Sequence, residues 1–143
     1  MNAPATFRKP GLSSGFKWSY KDHHFTGYSI AGVTTSLVYN NAGAVFDLGQ
    51  GLPFNIPYKY FFITHGHSDH ASGLPYVLSQ RSLWSLPPAH IYMPSHYVEN
   101  FKKIISIYQE MEGYTYDYHI HGLDHGGRVE IGKDITVEAF PTY

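Results

Sequence analysis

The stretch Tyr60-Phe61-Phe62-Ile63-Thr64-His65-Gly66-His67-Ser68-Asp69-His70 decides how this chain reads. An apolar, β-prone run that breaks into clustered ligand-type side chains reads as a buried strand delivering a metal-binding loop. Neutral imidazole is the commonest protein ligand for zinc, and a carboxylate suits the same borderline ion. Residues two apart in extended chain share a face, so His65 and His67 are placed to hold one ion. Asp69 and His70 lie past the strand, where a turn offers them to a second ion. Asp69 is also placed to orient an attacking water or take its proton. The alternative is a surface loop that is merely His-rich, since the chain has ten His. An H-x-H-x-D-H pattern at a strand end counts against it.

Upstream, Tyr28–Val33, Thr35–Tyr39 and Ala44–Phe46 read as short strands, with a hairpin-type turn at Asn40-Asn41-Ala42-Gly43. The third of these ends in Asp47. A carboxylate there reads as a support that accepts the outer N–H of a ligand imidazole, or else as an ordinary turn cap. Downstream, Ala71–Ser82 reads as a helix and Ala89–Met93 as a buried strand. A second helix opens at Ser95 as N-cap, with Val98, Phe101, Ile105 and Tyr108 on its apolar face, widened by Ile104 and Met111. Thr115–Ile120, Arg128–Ile131 and Ile135–Phe140 read as further strands. The order predicts a mixed α/β layer with helices on one side of a largely buried sheet.

A second His-rich run, His119-Ile120-His121-Gly122-Leu123-Asp124-His125, superficially repeats the first with one residue inserted. It precedes Gly126-Gly127 and reads more simply as a turn than as a metal site. His23, His24, His90 and His96 read as ordinary.

Composition narrows the class. Apolar residues at 43% and charged residues at 15% argue for a core-forming chain. The absence of Cys excludes disulfides and thiolate metal sites. A net charge of −1 gives no global positive field for nucleic acid. No apolar run approaches the roughly 20 residues of a membrane helix, and the N-terminus lacks a signal pattern, so a cytoplasmic protein is expected. Residues 1–26, punctuated by Pro and Gly and carrying Arg8, Lys9, Lys17 and Lys21, read as a loosely ordered segment. It is either an arm for RNA phosphate or a terminus with a few strand residues.

Thr64–His70 followed by Gly73-Leu74-Pro75 resembles the metallo-β-lactamase superfamily, and within it the ribonuclease Z (tRNase Z) family in its short, plant-like form. Phe46-Asp47-Leu48-Gly49, Gly122-Leu123-Asp124 and Val137–Tyr143 carry the likeness along the chain. The resemblance implies the N-terminal half of an αββα sandwich, one partial domain over residues 1–143. It implies that His65 and His67 ligate one zinc, that Asp69 and His70 ligate another, and that Asp47 supports them. Manganese or iron would suit the same ligands. The implied activity is removal of the 3′ trailer from precursor tRNA, leaving a 3′-hydroxyl, by a homodimer. The resemblance also implies further ligands and an RNA-gripping exosite past Tyr143. On that expectation the chain is a fragment, inactive alone, or is completed by a C-terminal half on another polypeptide. The rival expectations are another hydrolase of the same fold, such as a phosphodiesterase, sulfatase or lactonase, and a non-catalytic binding or dimerisation module.

Overall fold

A computed structural model of the chain describes residues 14–142. Four strands come first: β1 (Phe16–Tyr20), β2 (His23–Ile30), β3 (Thr34–Tyr39) and β4 (Ala44–Leu48). They are followed by β5 (Tyr60–Phe62), α1 (Ser68–Ala71), α2 (Leu74–Leu83), β6 (Ala89–Met93) and α3 (Ser95–Glu112). The chain continues through β7 (Tyr118–Gly122), β8 (Arg128–Glu130) and β9 (Thr136–Glu138). Strands β1 to β7 form one sheet in sequence order, and β8–β9 form a separate hairpin. Strands β1–β4 pair antiparallel and β4–β7 pair parallel. The expected mixed α/β sheet with flanking helices is therefore what the residues build. No helix among the described residues is long and apolar enough to cross a membrane.

Strand alternation sorts the sheet into two different faces. Val38, Val45, Phe61 and Ile91 point to one side, where they pack with Leu74, Val77 and Leu78 of α2 and with Phe101 and Ile105 of α3. Fully burying a side chain such as Phe61 contributes about 1.5–3 kcal/mol. The opposite face is aromatic. Cross-strand stacking runs Phe46–Phe62–Tyr92–His121 at ring separations of 5.4, 5.0 and 5.0 Å. The β8–β9 hairpin covers part of this face through Ile131, Val129 and Val137.

Arg81 on α2 is buried, yet faces no carboxylate among the described residues. Its guanidinium donates to the carbonyls of Ile56, Tyr58 and Pro87, with the first and last at 2.9 and 2.6 Å. It thereby straps the loop before β5 to the segment before β6. Burial lowers its pKa from the ordinary value.

Several elements differ from the sequence reading. Of the loosely ordered segment expected over 1–26, residues 1–13 lie outside the described residues. The rest forms the β1–β2 hairpin, whose register pairs Trp18 with Phe25. The helix expected over Ala71–Ser82 is two, because the chain bends between α1 and α2 at Ser72-Gly73. Ser95 is not the N-cap of α3 but its first residue; Pro94 holds the cap position without a side-chain bond. On α3, Ile104 is 41% and Met111 68% exposed, so the buried stripe narrows to Phe101 and Ile105. The strand expected over Thr115–Ile120 is β7 at Tyr118–Gly122, so His121 lies in the strand and the chain turns only after Gly122.

Candidate metal centre

Parallel strands β4–β7 all end at one edge of the sheet. The end of β4 brings Asp47 to that edge, and the segments after β5, β6 and β7 bring Thr64–His67, Ser95 and Asp124; ligands of open α/β sheets gather there. The register Phe46↔Phe62 sets the tail of β4 beside the tail of β5. Asp47 is buried and adopts φ 55°, a left-handed conformation that Asp tolerates better than most residues. Its carboxylate then reaches across to the neighbouring loop.

Asp47 is the hub of the site. Its Oδ1 accepts the Thr64 backbone N–H at 2.8 Å; its Oδ2 accepts the Thr64 hydroxyl and His70 Nδ1–H, both at 2.7 Å. With its proton on Nδ1, a neutral His70 presents a bare Nε2 lone pair. The Thr64 hydroxyl has given its only proton to Asp47, so at 2.9 Å from His65 Nδ1 its oxygen accepts. That places the His65 proton on Nδ1 too, and turns a second bare Nε2 outward. One buried carboxylate thus sets the tautomers of two imidazoles, one directly and one through a hydroxyl.

The remaining groups close around these two. The His65 ring lies 4.5 Å from His67 and 4.1 Å from His70. Asp69 Oδ2 sits 3.5 Å from His70 Nε2 and accepts the Gly32 N–H at 3.2 Å. Burial, then the neighbouring His70 and His67, lower the His65 pKa below the ordinary 6.5, outweighing the raising influence of Asp47 and Asp69. His65 is therefore held neutral, the form that binds metal.

Ligand-type atoms of Asp47, His65 and His70 all lie within 4.8 Å of one another. Asp47 already accepts three hydrogen bonds. The donors with lone pairs to offer are His65, His67, Asp69 and His70. Nitrogen and oxygen donors without sulfur fit zinc, and fit manganese or iron as well.

Backbone contacts hold the loop to its neighbours. Gly49 N–H donates to His70 O at 3.1 Å and Gly73 N–H to Gly49 O at 3.0 Å. This approach is so close that a Cβ on Gly73 would stand 1.9 Å from Gly51 N. A Cβ on Gly66 would meet the Tyr97 ring at 2.8 Å.

The sequence-expected residues His65, His67, Asp69, His70 and Asp47 are brought together here. Thr64 and Gly32 were not foreseen in their roles. The one signal for Thr64 is a hydroxyl residue directly before the His motif. Asp124 also joins this edge: it accepts Ser95 N–H at 2.9 Å and Ser95 Oγ–H at 2.6 Å, and these bonds lower its pKa. A cleft of about 640 Å³ opens beside the ligand loop, sharing Thr64 with it and lined by Phe46, Phe62, Tyr92, Asp124 and Phe140.

No family model matches the chain. Among curated proteins, it is similar to tRNase Z TRZ1 of Arabidopsis thaliana, 30% identical over 117 residues, which are 82% of this chain and 42% of that protein. It is similar to the nuclear ribonuclease Z of Triticum aestivum, again 30% identical over 82% of this chain and 66% of the relative. The chloroplastic tRNase Z TRZ2 of Arabidopsis thaliana is 32% identical over 82% of this chain and 33% of the relative. The matched region thus spans between a third and two-thirds of the length of these relatives.

Proposed function

Because this chain belongs to the ribonuclease Z family, we propose that it carries the metal-binding loop of a zinc-dependent endoribonuclease that removes the 3′ trailer of precursor tRNA. The observation that carries the reading is the Asp47–Thr64 hub, which leaves His65 and His70 each with Nε2 bare. In this reading His65 and His67 hold one zinc, and Asp69 and His70 hold a second. Bound zinc supplies a water acidified to a pKa of about 7 and polarises a phosphoryl oxygen. Asp69 takes the proton of the attacking water; the Gly32 N–H keeps its carboxylate in place for that transfer. The cleft beside Thr64 offers aromatic surface on which a nucleobase can stack.

The activity belongs to the whole protein, since the chain matches 42% of one relative and 66% of another. The whole protein acts as a homodimer on precursor tRNA in the cytoplasm. The isolated chain binds metal without turnover until a complementary C-terminal half supplies the remaining ligands. The test is cleavage of a precursor tRNA by the zinc-loaded whole protein, with the product's 3′ end mapped. Trailer removal leaving a 3′-hydroxyl is expected. Hydrolysis of lactones or thioesters with no cut in precursor tRNA would overturn the reading.

A further inference from the structure

The Asp47 hub accounts for His65 and His70 but not for His67. Among the described residues the His67 side chain makes no hydrogen bond; its ring contact is with His65 at 4.5 Å. The residue before it is Gly66, and glycine has the widest backbone freedom of any residue. Gly66 does not use that freedom, because its φ lies outside the left-handed region. What excludes a side chain there is Tyr97. A Cβ on Gly66 would stand 2.8, 3.2 and 3.2 Å from Cε1, Cδ1 and Cζ of the Tyr97 ring. The ring therefore rests against the backbone that links the two imidazoles. We propose, resting on the reading of His65 and His67 as ligands of one zinc, that Tyr97 is the positioning residue for His67: it backs Gly66 and so fixes the peptide that aims the His67 imidazole.

Tyr97 belongs to the first turn of α3, and that turn is fastened independently of the hub. Asp124 accepts Ser95 N–H at 2.9 Å and Ser95 Oγ–H at 2.6 Å. Leu123 N–H donates to Met93 O at 2.7 Å, and Tyr97 N–H to Pro94 O at 3.0 Å. Gly122 makes room for this junction, since a Cβ there would stand 2.2 Å from Ser95 Oγ. The Tyr97 ring packs against the helix-side core, and the His96 ring lies 3.9 Å from it. The end of β7 thus anchors the start of α3, and α3 holds Tyr97 against the ligand loop. Metal ligands need placing to within about 0.5 Å, so a loop hinged on an unbacked glycine binds an ion less well. The contact with Gly66 is made by ring carbons, so the Tyr97 hydroxyl is dispensable for it.

The test uses Zn²⁺ alone as probe, by competition against a chromophoric chelator, with urea unfolding of the same samples without zinc. Y97A should lower zinc affinity about tenfold, while Y97F stays within about twofold of the wild type. G66A should also weaken binding, because its methyl group strikes the ring. In G66A/Y97A the methyl group takes the space the ring has left, and affinity should recover above both single variants. A ring that only supported the fold would give losses that add. In NMR spectra of the zinc-free protein, Y97A should shift the His67 ring signals and leave those of His70, which Asp47 holds, in place. Wild-type affinity in Y97A, or a double variant weaker than either single one, would overturn the role of Tyr97. H67A separates this from the ligand reading: unchanged zinc affinity in H67A overturns that reading as well, whereas weakened H67A beside unchanged Y97A removes Tyr97 alone.

Discussion

Replacing Asp47 with Asn tests the hub directly. Asn tolerates the left-handed backbone at φ 55°, so the turn itself is preserved. Asn can still accept the Thr64 N–H through its carbonyl oxygen. Its amide, however, faces the Thr64 hydroxyl and His70 Nδ1–H, which both donate at 2.7 Å in the wild type. Two bonds to a charged acceptor are lost, each worth about 1.5–3 kcal/mol. Rotation of the Thr64 hydroxyl toward water and a shift of the His70 proton recover part of that, leaving a net destabilisation of about 2–4 kcal/mol. His70 escapes the clash by moving its proton to Nε2, which turns an N–H where a lone pair is needed. Loss of such an outer partner typically lowers metal affinity 10–100-fold. Zinc competition against a chromophoric chelator, with urea unfolding on the same samples, measures both quantities. An Asp47→Asn protein that keeps its zinc affinity within twofold while remaining folded would refute the claim that Asp47 sets the ligand tautomers.

Thr64→Val keeps the β-branched shape but removes the hydroxyl between Asp47 and His65. Zinc affinity should fall roughly tenfold, less than for Asp47→Asn, and Thr64→Ser should restore it, as read by the same competition. Gly73→Ala forces a methyl group against the Gly51 backbone, so the 47–51 and 70–73 loops must part; urea melts should show a loss of about 1–3 kcal/mol or more, accompanied by weaker zinc binding. Acid should weaken the site. The folded His65 pKa lies below the unfolded 6.5, so the unfolded chain binds more protons. The stability that neutral His65 contributes is full above the unfolded pKa and disappears as pH falls through the lower folded value. Thermal midpoint and zinc affinity should both drop between about pH 7 and the mid-acid range, whereas a midpoint that rises on acidification would contradict the assignment.

The gathering of His65, His67, Asp69 and His70 was legible because they are close in sequence and follow an apolar strand. The hub was only partly legible. Asp47 stands out as a strand-end carboxylate, but its pairing with Thr64 depends on the parallel register of β4 and β5, which no local pattern specifies. The β1–β2 hairpin was hidden for a different reason. Phe16, Trp18 and Tyr20 do alternate, but all three are exposed and Pro and Gly precede them, so the segment mimics a loose terminus. On α3 the periodic apolar stripe was real, while its burial was not a property of the helix. Phe101 and Ile105 meet the sheet, and Ile104 and Met111 meet nothing among the described residues that covers them. The strand expected over Thr115–Ile120 was placed too early, because Gly126-Gly127 follows closely and drew His121 and Gly122 into the turn; the strand continues to Gly122 before the chain reverses.

Arg81 gives the scaffold a fastener of a different chemical kind from the one at the ligand loop. Its charge is met by the carbonyls of Ile56, Tyr58 and Pro87, and carbonyl oxygens have no proton to gain across the range in which imidazoles titrate. Mild acid therefore reaches one fastening and leaves the other closed. Metal can be stripped at low pH while the loops before β5 and β6 stay strapped to α2, so the emptied protein should refill on neutralisation without refolding.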